Sequence, residues 1–140
     1  MAYNKGKPNI KNRKYKDPTE VTFNNLVNRY KQQAKHRNRS WNISTKKLIE
    51  MLQSDCHYCG SPPMNTHNVY VAKTGRYAVN NKEWADRAWV RFNGIDRQNN
   101  KLGYSVKNCV PCCKICNYAK RTSTIEEFEN WINNLITFRS

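Results

Sequence analysis

Residues 93–120 read NGIDRQNNKLGYSVKNCVPCCKICNYAK and place an Asp-Arg pair, a Gly-Tyr turn and a group of cysteines in one short span. The pattern predicts a strand, a loop, a second strand and a helix. The first turn of that helix would carry the motif Cys-Asn-x-x-Lys, formed by Cys116, Asn117 and Lys120. The span therefore joins a metal-binding half-site to an acid and a permanently charged cation.

Two Cys-x-x-Cys pairs predict one tetrahedral zinc site. Residues 56–60, CHYCG, supply Cys56 and Cys59, and residues 113–116, CKIC, supply Cys113 and Cys116. Each two-residue gap lets a tight turn present both sulfurs to one ion, and Gly60 suits the backbone after such a turn. Four thiolates fill the coordination sphere, so we predict a structural Zn²⁺. Cysteine pairs of this kind also predict a reducing compartment, the cytoplasm.

The second half-site has two registers, because Cys109 and Cys112 also form a Cys-x-x-Cys pair. We prefer the pair at 113 and 116, because Cys116 leads into Asn117 at the predicted start of a helix. Cys109 and Cys112 are then buried small residues or free thiols.

The charge of the chain predicts a polyanionic partner. Its 140 residues carry 25 Lys+Arg against 10 Asp+Glu, a formal net charge of +15. Such a field favours nucleic acid or an anionic membrane surface. The cations are spread along the chain instead of along one amphipathic helix, and no transmembrane run is present, so double-stranded DNA is favoured over a membrane. A basic surface that serves only solubility is the alternative. The residues predicted to contact DNA are Arg29, Lys35, Arg37, Arg39, Arg91, Lys120 and Arg121.

The patterns along the chain predict one domain with a loosely attached arm. Residues 1–18 form a basic flexible arm, and residues 19–54 form a helical, DNA-contacting region in which Ser44 is the N-cap of a second helix. Residues 55–122 form the zinc-bound core. Residues 123–140 form a C-terminal helix that begins with the capping box Thr124 to Glu127 and carries an apolar stripe. That stripe is a packing surface or half of a homodimer contact.

Residues 64–92 predict a β-rich insertion between the two cysteine pairs. This segment lacks a helical period, and Thr74-Gly75 is a reasonable hairpin turn. The following stretch, AWVRFNGID, predicts one strand with Trp89, Arg91 and Asn93 alternating on a single face.

These motifs resemble the ββα-metal fold of HNH endonucleases, also called His-Me finger nucleases, over about residues 55–122. Asp96 in IDR, Asn108 in VKN and Asn117 in CKICN match the family pattern. The helical lead-in that ends in DCHYCG is similar to phage-type members, which implies the cytoplasm of a bacterial or phage-infected cell. The resemblance implies an α+β fold with a zinc-stapled ββα-metal core, N-terminal helices and a C-terminal packing helix.

One departure from the family concerns the residue after the aspartate, where histidine is replaced by Arg97. Arginine stays protonated and cannot act as a general base. The resemblance therefore narrows to the subgroup with Asp-Arg followed by Gly-Tyr, which includes a rare-cutting restriction enzyme. It implies that Arg97 and Tyr104 stand in for the histidine, with Tyr104 as a base, a water-orienting hydroxyl or a nucleophile. Asp96 and Asn117 would hold one catalytic Mg²⁺ or Mn²⁺, and Asn108 would support the loop between the strands.

The resulting prediction is a metal-dependent endonuclease that hydrolyses phosphodiester bonds in duplex DNA, by a nick or a double-strand break. A homing or free-standing phage nuclease and a restriction enzyme both fit. One alternative is a zinc-containing, non-catalytic nucleic-acid-binding module whose HNH site is degenerate. In that case Asp96 and Arg97 are only a surface pair. An RNA-directed nuclease is a further alternative.

Overall fold

The structure is a computed structural model that describes residues 17–71 and 81–140. Residues 1–16 of the predicted arm and the predicted turn at Thr74-Gly75 lie outside the described residues. The described elements are, in chain order, α1 (Pro18–His36), β1 (Trp41–Asn42), α2 (Thr45–Leu52), β2 (Asn65–His67), a 3₁₀ turn (Val69–Val71), α3 (Lys82–Asp86), β3 (Val90–Phe92), β4 (Gly94–Arg97), β5 (Tyr104–Ser105), β6 (Cys109–Cys112), α4 (Lys114–Lys120) and α5 (Ile125–Arg139).

The two N-terminal helices begin at side-chain caps and bury one face each. Asp17 accepts a hydrogen bond from the Thr19 backbone N–H at 2.9 Å. Ser44, the predicted cap of α2, accepts one from the Lys47 backbone N–H at 3.2 Å. Both caps satisfy N–H groups that the first helical turn leaves unpaired. The helices share a core whose buried members are Phe23, Leu26, Val27, Ile43, Leu48, Met51, Leu52, Val90, Ile95 and Cys109.

Residues 93–120 fold into an antiparallel strand pair and a helix. β4 pairs with β6 so that Asp96 lies opposite Val110 and Arg97 lies opposite Cys109. Helix α4 follows directly and packs against β4. This arrangement confirms the predicted strand, loop, strand and helix, and it brings Asp96 beside α4.

A short parallel pair ties the loop between β4 and β6 to the N-terminal half. β5 pairs with β1, so that Tyr104 lies opposite Trp41. Gly103 makes the close approach possible, because a Cβ there would lie 2.7 Å from the Ser40 carbonyl oxygen. This strand pair was not predicted from the sequence.

The insertion over 64–92 differs from the prediction in three respects. β2 and β3 pair antiparallel but lie outside the stretch around Thr74-Gly75 that was predicted to form β-structure, and Val69–Val71, just before that turn, form a 3₁₀ turn. Residues 82–86 form the short helix α3, capped by Asn81. Asn93 does not share a face with Trp89 and Arg91, because the strand breaks there. Its side chain is buried and donates to the Ser54 and Ser61 carbonyls at 3.0 and 3.2 Å.

The C-terminal helix has the predicted capping box and a mostly open apolar stripe. Thr124 Oγ1 accepts from the Glu127 backbone N–H, and the Glu127 carboxylate accepts from the Thr124 backbone N–H, both at 3.1 Å. Phe128 is buried, whereas Trp131 and Leu135 on the same helix are 49% and 42% exposed. Across the described ranges, no helix is long and apolar enough to cross a membrane.

Candidate active site and zinc centre

Four cysteines form the metal centre that the spacing predicts. The Sγ atoms of Cys56, Cys59, Cys113 and Cys116 all lie within 4.8 Å of one another. A tetrahedral site with Zn–S bonds of about 2.3 Å places its sulfurs about 3.8 Å apart. The Cys59 and Cys113 sulfurs are 3.7 Å apart, so the set fits structural zinc.

Local backbone geometry brings each half-site into place. Gly60, directly after Cys59, has a φ of +75°, a conformation that glycine adopts without strain. In the second half-site, the Cys113 sulfur caps α4 by accepting from the Cys116 backbone N–H at 3.3 Å. The His57 backbone N–H donates to the Pro111 carbonyl at 2.8 Å and docks the first half-site on β6.

The electrostatics favour a thiolate at Cys59. Hydrogen bonds with the hydroxyl and backbone of Ser61 lower the pKa of the Cys59 thiol to about 6. Cys109 and Cys112 are buried and lie outside the four-sulfur group, whereas Cys113 and Cys116 belong to it. The structure therefore resolves the register in favour of the pair at 113 and 116.

Asp96 is buried and is contacted by two neighbouring side chains, mainly through Oδ2. Its residue exposure is 5%. The Tyr58 hydroxyl donates to Oδ2 at 2.7 Å. Lys120 Nζ lies 3.3 Å from Oδ2 and 3.5 Å from Oδ1. Burial and the hydrogen bond to Asp96 raise the pKa of Tyr58, so this hydroxyl stays a donor.

The prediction that Lys120 contacts DNA is wrong, because the side chain is buried. Its side chain is 0% exposed, and its ammonium also donates to the Arg97 carbonyl at 3.3 Å. These partners enclose the ammonium and leave it no surface for a phosphate. The other predicted DNA-contacting residues are on the surface: Arg29, Lys35, Arg37, Arg91 and Arg121 are exposed, and Arg39 is partly exposed.

Arg97 and Tyr104 meet at the end of the strand pair. The Arg97 guanidinium carbon lies 5.4 Å from the centre of the Tyr104 ring, within the range of a cation–π contact. Arg97 Nη1 donates to the Asn100 and Leu102 carbonyls at 2.9 and 2.8 Å. Tyr104 also packs on Trp41, with ring centroids 5.2 Å apart. One nitrogen of the guanidinium therefore stabilises the loop between β4 and β5.

Asn108 closes the same loop from the other side. Its Oδ1 accepts from the Asn99 backbone N–H at 2.9 Å. Its Nδ2 donates to the Asn99 and Gly103 carbonyls at 3.1 and 2.8 Å. The side chain is thus in the loop-supporting position that the resemblance implies.

Asn117 lies on α4 one turn before Lys120. Residues three apart on a helix share a face, and Lys120 reaches Asp96 from this helix. Asn117 is exposed, on the helix that packs against the strand of Asp96.

Tyr58 was missed by sequence analysis, although it contacts the predicted reactive acid. It lies between the zinc ligands Cys56 and Cys59, and its ring packs edge-on against Phe128 with centroids 5.0 Å apart. A tyrosine between two zinc ligands gives no signal of its own, because its partner, Asp96, is 38 residues away.

Comparisons with known proteins bear on the fold. No protein-family profile matches the sequence. The chain is 27% identical over 114 residues to the uncharacterised protein R423 of Acanthamoeba polyphaga mimivirus, a match that covers 79% of this chain and 17% of that protein. The chain thus spans about a sixth of the length of this relative.

Among solved structures, the chain is similar to the rare-cutting HNH restriction endonuclease PacI. The TM-score is 0.51 at 19% identity, covering 78% of this chain and 72% of that one. Helices mixed with small sheets, a four-cysteine metal centre and this similarity together confirm the α+β prediction. This chain therefore has an HNH-type fold like that of PacI, with a zinc-binding cluster in its core.

Proposed function

We propose that this protein is a metal-dependent endonuclease that hydrolyses phosphodiester bonds in duplex DNA. The single observation that supports it best is the position of Asp96, buried on the strand that packs against the helix of Asn117 and bordered by Arg97. A net charge of +15 supplies the attraction for the substrate. Similarity to the fold of an HNH restriction endonuclease is in keeping with this activity.

The oxygens of Asp96 and Asn117 suit Mg²⁺ or Mn²⁺, which prefer carboxylate and amide oxygens and keep several waters. Of the two Asp96 oxygens, Oδ1 carries only the longer contact with Lys120, at 3.5 Å, and can accept a cation. Bound there, the cation would stabilise charge on the scissile phosphate and its leaving oxygen.

Arg97 and Tyr104 would act on the phosphate and the attacking water. The hydrogen bonds of Arg97 Nη1 use two of five guanidinium donors, which leaves Nη2 and Nε to bind phosphate oxygens. The Tyr104 hydroxyl would orient the attacking water, accept its proton or attack the phosphate directly. Exposed arginines on α1, on β3 and at the end of α4 would bind the phosphates of the DNA on either side of the scissile bond.

One observation favours the second candidate, a non-catalytic zinc-containing module that binds nucleic acid. Lys120 already neutralises Asp96, and Arg97 already holds a loop. A site with its charges satisfied internally is what a degenerate nuclease would retain. This candidate predicts salt-dependent binding without cleavage.

Plasmid cleavage in Mg²⁺ or Mn²⁺ separates the two candidates. We expect the parent to cut, and Asp96→Asn and Asn117→Ala to lose cutting while zinc per chain stays unchanged. The matched controls are Asp86→Asn and Asn130→Ala, which alter exposed residues of the same types. Nicked circles would indicate a monomeric nickase, and linear product would indicate a homodimer or sequential cuts. Binding by the parent without any cutting of DNA would support the second candidate, and cutting of a matched RNA alone would point to an RNA nuclease.

A further inference from the structure

The carboxylate of Asp96 is held by two side chains that come from opposite halves of the zinc centre. Tyr58 belongs to the loop that supplies Cys56 and Cys59, and its hydroxyl lies 2.7 Å from Asp96 Oδ2. Lys120 is the last residue of α4, the helix that Cys113 caps, and its ammonium lies 3.3 Å from the same oxygen.

Both contacting groups are themselves fixed in position. The Tyr58 ring packs edge-on against Phe128 at 5.0 Å and edge-on against His57 at 5.1 Å. The Lys120 ammonium is also tied to the Arg97 carbonyl at 3.3 Å. A donor that is itself fixed by packing or by a second hydrogen bond restricts the rotation of the carboxylate that accepts from it. Supporting contacts of this kind orient metal ligands.

We propose that Tyr58 and Lys120 are positioning residues for Asp96, and we call these two side chains the Asp96 clamp. The clamp holds Oδ2 by two close contacts, at 2.7 and 3.3 Å, and leaves Oδ1 with one longer contact to Lys120 at 3.5 Å, so Oδ1 is the oxygen available to a cation. Since the structural zinc fixes both segments that carry the clamp, the clamp couples the zinc centre to the reacting carboxylate. This role rests on the proposed nuclease function.

The geometry separates this role from that of a DNA contact. Lys120 is 0% exposed, so a change at this residue removes no phosphate contact. A positioning defect lowers the rate of the bound complex and weakens cation binding, whereas a lost DNA contact raises the KM for DNA.

The test compares Tyr58→Phe with Tyr118→Phe, which removes a hydroxyl from a 70% exposed ring on α4. Tyr58→Phe keeps the ring packing and removes only the hydrogen bond to Asp96. We expect kcat for plasmid cleavage to fall on the order of tenfold, as for one hydrogen bond to a charged group. We expect an unchanged KM for DNA, one zinc per chain, and weaker Mn²⁺ binding measured by electron paramagnetic resonance without DNA. Tyr118→Phe should match the parent.

Lys120→Met is the second variant, with Lys47→Met as its control on an exposed helix face. Where Lys120→Met stays folded with zinc bound, it should repeat the loss in kcat with an unchanged KM. Parental kcat and Mn²⁺ affinity in Tyr58→Phe would overturn the clamp while the nuclease function stands. Loss of zinc in Tyr58→Phe would also overturn it, by showing that the tyrosine serves the zinc centre alone. A parent protein that cuts no nucleic acid and binds no Mn²⁺ would remove the proposed function, and the clamp with it.

Discussion

Replacing Lys120 by methionine tests the buried ion pair directly through protein stability. Lys120 and Asp96 side chains are 0% and 5% exposed, with nitrogen and oxygen 3.3 Å apart. At an effective dielectric constant of about 20, two unit charges at this distance attract by about 5 kcal/mol. Lys120→Met leaves a buried carboxylate without its cation, so we expect the free energy of unfolding to fall by about 3–5 kcal/mol.

The control for the predicted loss in free energy of unfolding is an ion pair on the surface. Lys47 lies 3.7 Å from Glu50, with side chains 47% and 53% exposed. Solvent screening limits such a pair to about 0.3–0.5 kcal/mol, so Lys47→Met should change stability by less than 1 kcal/mol. Urea unfolding of both variants with zinc bound, followed by circular dichroism, measures the difference.

A double-mutant cycle identifies the source of the loss. Asp96→Asn alone should also be costly, because it leaves a buried ammonium. In the double variant Asp96→Asn/Lys120→Met neither charge is buried alone, so its loss should be well below the sum of the single losses, with a coupling of about 3 kcal/mol. Single losses that add to within about 0.5 kcal/mol would refute a strong buried pair.

Three further predictions follow from other parts of the structure. Cys59→Ser should lose tight zinc binding and lower Tm, whereas Cys109→Ser should keep one zinc per chain by metal analysis; equal zinc loss in both would contradict the assigned ligand set. Gly103→Ala should destabilise the fold by on the order of 1–3 kcal/mol in urea unfolding, because its Cβ would lie 2.7 Å from the Ser40 carbonyl oxygen; parental stability would show that the strand pair shifts freely. Burial raises the pKa of Tyr30 to about 12 from 10.0, so its favourable contribution is complete below pH 10 and is lost as pH rises toward 12. In urea unfolding between pH 9 and 12, the parent should therefore lose stability relative to Tyr30→Phe, and parallel pH profiles would refute this.

Features that depend on nearby residues could be predicted from the sequence. The capping box at Thr124 and the cap at Ser44 need only residues three positions away. The four zinc ligands could be predicted because each pair is a local motif and tetrahedral coordination demands that the pairs meet. The strand, loop, strand and helix around Asp96 followed from local patterns and from resemblance.

Features that depend on distant contacts could not be predicted. Trp41 and Tyr104 pair through strands of two residues each, which are too short to produce an alternating pattern. Lys120 was predicted to contact DNA because lysines are mostly exposed, and only the packing of α4 on β4 buries it. The role of Tyr58 depends on the same packing.

The separation of the two half-sites along the chain has a consequence for how the protein is made. Cys59 and Cys113 are 54 positions apart. At a synthesis rate of about 5–20 residues per second, the first pair of thiols leaves the ribosome roughly 3–11 seconds before the second pair. During that interval the first pair can hold zinc with only two sulfurs and is open to oxidation. The ββα core can therefore close around zinc only after the second pair has emerged, so protection of the first two thiols during that interval should raise the share of newly made chain that folds.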